Sequence, residues 1–242
     1  MQEWFDDIKS QFILNFINDD RWRFIVNGLG VTLRITFFAL LLGIAIGVVI
    51  SIVRSTYDKN VSSIRSAGGR FILGFFNGIC KFYLTIIRGT PVVVQLMIFY
   101  FIILVSVRNG ELIGIVAFGI NSGAYIAEIF RSGIMSIDNG QFEAGRSLGF
   151  NYIETMRHII IPQAFKNILP TLANEFIVLL KETAVVGYVA VQDLTKAGDI
   201  IRGRTFSAFM PLIAVALIYL CLVMFFTWLV GKLERRLRSN ER

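Results

Sequence analysis

Uncharged apolar runs alternate with polar stretches along the chain. Residues 35–53, 89–107 and 205–231 contain no Asp, Glu, Lys or Arg. A helix of about 20 such residues, rising 1.5 Å each, spans a hydrocarbon core of roughly 30 Å. Each run therefore predicts a membrane-crossing helix. Residues 111–131 form another apolar stretch, with Asn121, Ser122 and Glu128 within it or near its end. Residues 168–189 are long enough to cross but unusually polar, with Asn174, Glu175, Lys181 and Glu182. The pattern predicts an all-α integral membrane protein with about five crossings, at 27–53, 71–107, 111–131, 168–189 and 206–230. Together they make a membrane domain over 27–231, with residues 192–205 as a mixed loop before the last crossing.

The second crossing is expected to be interrupted. Pro91 lacks a donor and disfavours helical geometry at Thr90, which places a break near 88–91. Residues 71–87, which include Lys81, read as an interfacial helix or the inner part of this crossing, and 91–107 as the span proper. In the first crossing, Gly43 and Gly47 form a GxxxG pair that would permit close helix approach, or simply mark a glycine-tolerant membrane helix. Residues 1–26 form an amphipathic lead-in, with Phe12, Ile13, Phe16 and Ile17 at helical spacing.

Charge orients these elements. The loop 54–70 carries Arg54, Lys59, Arg65 and Arg70 against Asp58, and the tail 232–242 has five basic residues against two acids. Positive loops face the cytoplasm. Five crossings then put the acidic N-terminus outside, and the 54–70 loop, the 134–165 loop and the tail inside. Counting 71–87 as a separate sixth crossing would leave four positive charges outside. The net charge of +7 thus reads as a cytoplasmic marker and calls for no nucleic acid. Cys80 and Cys221 stand singly in apolar surroundings and His158 is the one histidine, so no metal set is expected. The acidic start is unlike a signal peptide. No internal repeat of the kind that builds many secondary carriers is evident.

The 134–165 loop interrupts the apolar pattern with designed ends. Asp138 can cap a short helix, with Gln141 in the capping-box position. Glu143 follows in the first turns, Ala144 and Gly145 are small, and Gly149 suits a left-handed C-terminal cap. Asn151 and Glu154 form a second capping box, Tyr152, Ile153, Met156, Ile159 and Ile160 give the second helix an apolar face, and Pro162 stops that helix or restarts the chain. Two uses fit such a rigid projection: docking in a groove of another protein, or anchoring to lipid.

Glu143-Ala144-Gly145, then Gly149, then Ile159-Ile160-Ile161-Pro162 resembles the EAA loop of ABC-importer permease subunits, with Gly145 in place of the second alanine and Ile161 in place of leucine. Other stretches in the same order are similar to the polar amino acid uptake subfamily, the histidine, glutamate, glutamine and arginine type. They are Arg88-Gly89-Thr90-Pro91, the run from Asn121 to Ile129, Pro162-Gln163-Ala164, the run from Asn174 to Lys181, and Arg204-Thr205-Phe206. Lys181-Glu182-Thr183-Ala184 departs from the commoner KDTSL. The resemblance covers roughly 28–236.

The resemblance implies a permease subunit in the bacterial cytoplasmic membrane that works in a dimer, homo- or heteromeric. It implies a pair of ATPase subunits beneath, and an extracytoplasmic binding protein that delivers a polar amino acid. The EAA loop would dock on the ATPase, with Glu143, Ala144, Gly145 and Gly149 as the contact core. No G-x-x-x-x-G-K-[ST] loop occurs, so ATP and Mg would be used by the partner and no cofactor is expected on this chain. No nucleophile–base pair suggests catalysis. For the substrate, ionisable groups within crossings are the default candidates. Asn174 and Glu175 come first, as a pair facing inward along the fourth crossing, then Glu128, then Glu182. The acids lean towards a cationic amino acid. A different small polar solute in the same architecture, or a secondary carrier, are the alternatives.

Overall fold

A computed structural model describes residues 2–61, 64 and 66–239. Arg65 and the last residues of the basic tail, 240–242, lie outside the described residues. Every regular element among those described is helical. The principal helices are α1 (Gln2–Phe12), α2 (Trp22–Asn60), α3 (Ala67–Gly89), α4 (Val92–Ile98), α5 (Gly110–Met135), α6 (Asn139–Ser147), α7 (Tyr152–Thr155), α8 (Ile161–Glu182), α9 (Leu194–Thr205) and α10 (Phe209–Ser239).

Among the described residues four helices are long and apolar enough to cross a membrane: Trp22–Lys59, Ala67–Gly89, Gly110–Met135 and Phe209–Leu237. α8, with 22 residues, has the length but not the composition, because Lys166, Glu175, Lys181 and Glu182 interrupt its apolar windows. It ends at Glu182, where the chain tightens into a 3₁₀ turn, Thr183–Val189. The expected break falls at Thr90, which is extended (φ −123°, ψ 147°) before Pro91. The longer piece lies before that break. Ala67–Gly89 tolerates Lys81 within a long apolar helix, whereas Val92–Ile103 is shorter than a crossing needs.

Two loops expected from charge are helices. α2 runs on to Asn60, so Arg54, Asp58 and Lys59 stand on a helix rather than in the 54–70 loop. Residues 194–205 form α9, which the Asp193 carboxylate caps by accepting from the backbone N–H groups of Thr195 and Lys196 at 3.1 and 2.8 Å. Local capping chemistry outweighs the polar composition here.

The chain folds as two compact units. One comprises Met1–Ala39, Val92–Phe118 and Ile177–Trp228. Its core includes Ile35, Ile113, Phe118, Val186, Leu194 and Ile201, all buried. Within it a Cβ on Gly28 would stand 2.6 Å from the Asp193 carbonyl oxygen, so α2 passes the α9 cap at backbone contact. The Thr32 hydroxyl accepts from Leu194 N–H at 3.1 Å, and the buried hydroxyls of Thr36 and Thr183 pair at 3.2 Å. The lead-in is fastened here by hydrogen bonds, because Asn15, fully buried, accepts from the Thr205 hydroxyl at 2.8 Å. Among the apolar residues of the lead-in whose side chains are described, Phe16 alone is buried.

The other unit comprises Leu40–Pro91, Gly119–Phe176 and Leu229–Arg242. Gly43 and Gly47 do bring helices together: a Cβ on Gly47 would lie 2.6 Å from Ile126 Cγ2 and 2.9 Å from the Ala127 nitrogen. α2 and α5 thus touch along small residues, the arrangement that replaces hydrophobic drive inside lipid. Gly123 faces Ile46 and the Tyr83 hydroxyl in the same way, and Ile50, Leu84, Ala124 and Ala127 close the core of this seam.

Candidate functional site

The polar segment after α5 is a helical hairpin. The Asp138 carboxylate caps α6 by accepting from Gly140 N–H at 2.6 Å. Gln141 does not complete a capping box; its side-chain carbonyl accepts from Gln163 at 3.2 Å. α6 ends in a Schellman turn: Gly149 N–H donates to the Arg146 carbonyl, Phe150 N–H to the Gly145 carbonyl, and Gly149 takes φ +83°. α7 starts with a complete capping box, Glu154 N–H to Asn151 at 3.0 Å and Asn151 N–H to Glu154 at 2.8 Å.

Pro162 does not stop this second helix. A π turn, Met156–Ile160, carries α7 into α8, and Ile161 N–H donates to Met156. The wider turn lets the chain reach a residue without an N–H and remain helical. Packing favours it: Ile160 and Ala164 are wholly buried in a cluster with Ile134, Phe142 and Ile168. Tyr152, Met156 and Ile159 pack against that cluster, but Ile153 points away and is 74% exposed.

The hairpin is clamped to the helices around it. The Lys59 ammonium, near the end of α2, donates to the Asn139 side chain at 2.7 Å and sits 4.6 Å above the Phe142 ring. Asn167 of α8 donates to the Ser136 hydroxyl at 3.1 Å. Burial pushes the Tyr152 phenol above its ordinary pKa, against a smaller opposing effect of its hydrogen bond with Thr56 of α2.

The four residues implied as a contact core divide. Glu143, Ala144 and Gly149 are exposed, whereas Gly145 is buried. A Cβ on Gly145 would stand 2.7 Å from Thr155, so its smallness serves the internal packing of α6 on α7. The outward surface is completed by residues that motif reasoning passed over: Leu148, 70% exposed, with Ile153 and Phe150. An exposed isoleucine beside a capped turn is the sequence signal that could have found them.

The substrate candidates also divide. Asn174 and Glu175 are consecutive on α8, and consecutive helical residues do not share a face. Asn174 is exposed, while the Glu175 carboxylate turns inward and accepts from the buried Ser122 hydroxyl at 3.0 Å. Ser122 is the partner that composition could not supply. Glu128 is occupied by structure: Arg131 donates to it at 2.5 and 3.1 Å, Arg54 approaches at 4.0 Å, and Arg131 also reaches Asp58 at 3.3 Å. This four-residue network ties α5 to the end of α2. Glu182, at the end of α8, is half-buried.

The family model described as binding-protein-dependent transport system inner membrane component matches residues 59–239. The arginine transport system permease protein ArtQ of Bacillus subtilis (strain 168) is 37% identical over 221 residues, covering 90% of this chain and 94% of that protein. The glutamine transport system permease protein GlnP of Escherichia coli (strain K12) is 34% identical over 209 residues, 85% of this chain and 90% of that protein. Among solved structures, an amino acid ABC transporter crystallised with histidines is 39% identical, covers 88% of this chain and 94% of that one, and superposes with a TM-score of 0.77. The inward-facing MetNI methionine ABC transporter, at 19% identity and a TM-score of 0.76, shares the fold over 91% of this chain.

Proposed function

We infer the function from the family to which this chain belongs, the binding-protein-dependent transport system inner membrane components, and propose that it is the permease subunit of an ATP-driven importer of a polar amino acid. The relatives named for arginine and glutamine support that substrate class. The observation that carries the coupling role is the hairpin itself. It is internally fixed by caps, glycine packing and the Lys59 clamp, yet it turns Leu148 and Ile153 outward. A rigid element with an exposed apolar tip suits seating in a partner's cleft, and its bonds to α2 and α8 would pass a partner's movement to those helices as rigid-body motion.

The finer assignments belong to this reading. The partner is an ATPase pair that binds ATP and Mg. A second permease subunit completes the path, and an extracytoplasmic binding protein delivers the substrate. Five crossings follow if α8 is added to the four apolar helices, its polar residues facing the path rather than lipid. The second crossing then draws on both Ala67–Gly89 and Val92–Ile103. The N-terminus lies outside, and the hairpin and the tail lie in the cytoplasm. Leu148, Ile153, Glu143, Ala144 and Gly149 form the docking face, with Gly145 shaping it from within. Glu175, Asn174 and Glu182 remain the substrate candidates. Glu128 is assigned to the ion-pair network instead.

Co-purification and transport test this together. Ile153→Asp, at an exposed position, should leave the chain folded but release the ATPase subunits and abolish ATP-driven uptake in proteoliposomes supplied with the binding protein. Full retention of the ATPase by that variant would remove the docking role. Failure of the wild-type assembly to accumulate either arginine or glutamine would remove the substrate class.

A further inference from the structure

One cleft stands apart from the hairpin and from the Ser122–Glu175 contact. It has a volume of about 570 Å³, and Arg54, Lys81, Thr85, Arg88 and Tyr125 are among its lining residues. Lys81, Thr85 and Arg88 recur at helical spacing and so share one face of α3. Arg54 closes the cleft from α2. Tyr125 closes it from α5, with the Arg88 guanidinium 5.6 Å over its ring.

Arg54, Lys81 and Arg88 bring three cations to this cleft, and no carboxylate is among its lining residues. The nearby acid, Glu128, stands 4.0 Å from Arg54 and is already held by Arg131. Among the described residues no carboxylate forms an ion pair with Lys81 or Arg88. The Arg54 Nε is buried and has no hydrogen-bond acceptor. A buried guanidinium N–H without an acceptor is costly, and charged groups at a membrane helix surface call for a counter-ion.

Its level along the helices points to the source of that anion. Arg54 is the first charged residue after the uncharged run 35–53, where the hydrocarbon region gives way to headgroups, and the long side chains of Lys81 and Arg88 reach the same cleft from within the second crossing. Beside the cleft, Phe82 and Ile86 of α3 are exposed, an apolar surface on which acyl chains can lie.

We propose that this cleft binds the phosphate of an anionic phospholipid. The Arg54 and Arg88 guanidiniums donate to the phosphate oxygens, Lys81 contributes its charge, and the acyl chains run along Phe82 and Ile86. This goes beyond the transport reading and holds whichever amino acid is carried.

The test uses the full-length chain in the complex with which it purifies. Phosphatidylglycerol and phosphatidylcholine retained by the protein are measured by native mass spectrometry. The double variant Lys81→Gln/Arg88→Gln should lose retained phosphatidylglycerol by about twenty-fivefold, from roughly fivefold per surface charge. Its phosphatidylcholine should be unchanged, and Arg235→Gln in the tail should behave as wild type. Should the double variant not fold, Lys81→Gln alone, at an exposed position, should show about a fivefold loss. Unchanged phosphatidylglycerol, or equal loss of both lipids, overturns the proposal. So does displacement of the lipid by excess inorganic phosphate or by free arginine or glutamine, which would name a soluble anion or the transported molecule as the occupant.

Discussion

Gly145 lies against Thr155 so closely that a Cβ on the glycine would stand 2.7 Å from both the Oγ1 and the Cγ2 of the threonine. Real Cβ atoms do not approach that near, so Gly145→Ala must spread α6 from α7. Overpacking of this kind costs about 1–3 kcal/mol. We expect faster amide exchange across the hairpin and reduced uptake, with the membrane helices unaffected. Thr155→Ala removes both clashing atoms, so the double variant Gly145→Ala/Thr155→Ala should recover much of the loss. Hydrogen exchange and uptake measured on all three variants check this. Equal behaviour of Gly145→Ala and wild type would show that the helices have slack that the close approach denies.

Gly149 is the hinge of the same hairpin, held at φ +83°. A side chain in that left-handed conformation costs roughly 1–2 kcal/mol. Gly149→Val should loosen the Schellman turn and free the amides of Gly149 and Phe150 to exchange. Gly149→Asn, which visits this region more readily, should be milder. The order Gly, Asn, Val in protection is the readout. An open space around the Gly149 Cβ position separates this backbone effect from packing, because nothing stands within 4 Å.

The hairpin shows what sequence can and cannot reveal. Asp138, Gly149 and the Asn151–Glu154 box act on backbone groups a few residues away, so spacing alone predicts them. Pro162 misleads, because the rule that it ends a helix assumes α geometry, while burial of Ile160 and Ala164 draws the chain through a π turn. Gln141 misleads because a residue far along the chain, Gln163, competes for its side chain. The same limit governs the intramembrane acids. Glu128 and Glu175 look alike as charges within apolar runs. Only the fold reveals that one is surrounded by Arg54 and Arg131 and the other by a serine hydroxyl. Among the described residues the apolar helices α2, α3, α5 and α10 were legible as long hydrophobic runs, whereas α8, read as a crossing from its length, is too polar to stand among the four helices long and apolar enough to cross.

The Ser122–Glu175 contact offers a direct reading of charge. Glu175→Gln preserves shape and an acceptor for the Ser122 hydroxyl but removes the negative charge. If Glu175 meets a cationic substrate, arginine uptake should fall by about tenfold or more, the scale of one charge-assisted hydrogen bond. Glutamine uptake should change little. Ser122→Ala keeps the charge but releases the carboxylate, so its effect should fall on KM more than on kcat. Equal losses for both amino acids in Glu175→Gln would mark the acid as a structural partner of Ser122 alone.

Asp193 makes stability depend on pH. Burial raises its carboxyl above the ordinary range, more than its hydrogen bonds from Lys196 and Thr195 N–H lower it. The folded chain therefore binds this proton more tightly than the unfolded chain does. For such a group stability is greatest below the unfolded pKa and falls as pH rises through the window up to the raised folded value. Asp193→Asn is neutral throughout and keeps one cap acceptor, so that slope should vanish from its melting curve. Asp199, held low by Lys196 and Arg202, contributes a slope of the opposite sign, but it is present in both proteins and cancels in the difference. Asp193→Ala, which has no cap, should instead be weaker by about 1 kcal/mol than Asp193→Asn at every pH. Melting temperatures from acid to neutral pH for the three proteins test this. Parallel curves for wild type and Asp193→Asn would show that burial does not raise this carboxyl above its value in the unfolded chain.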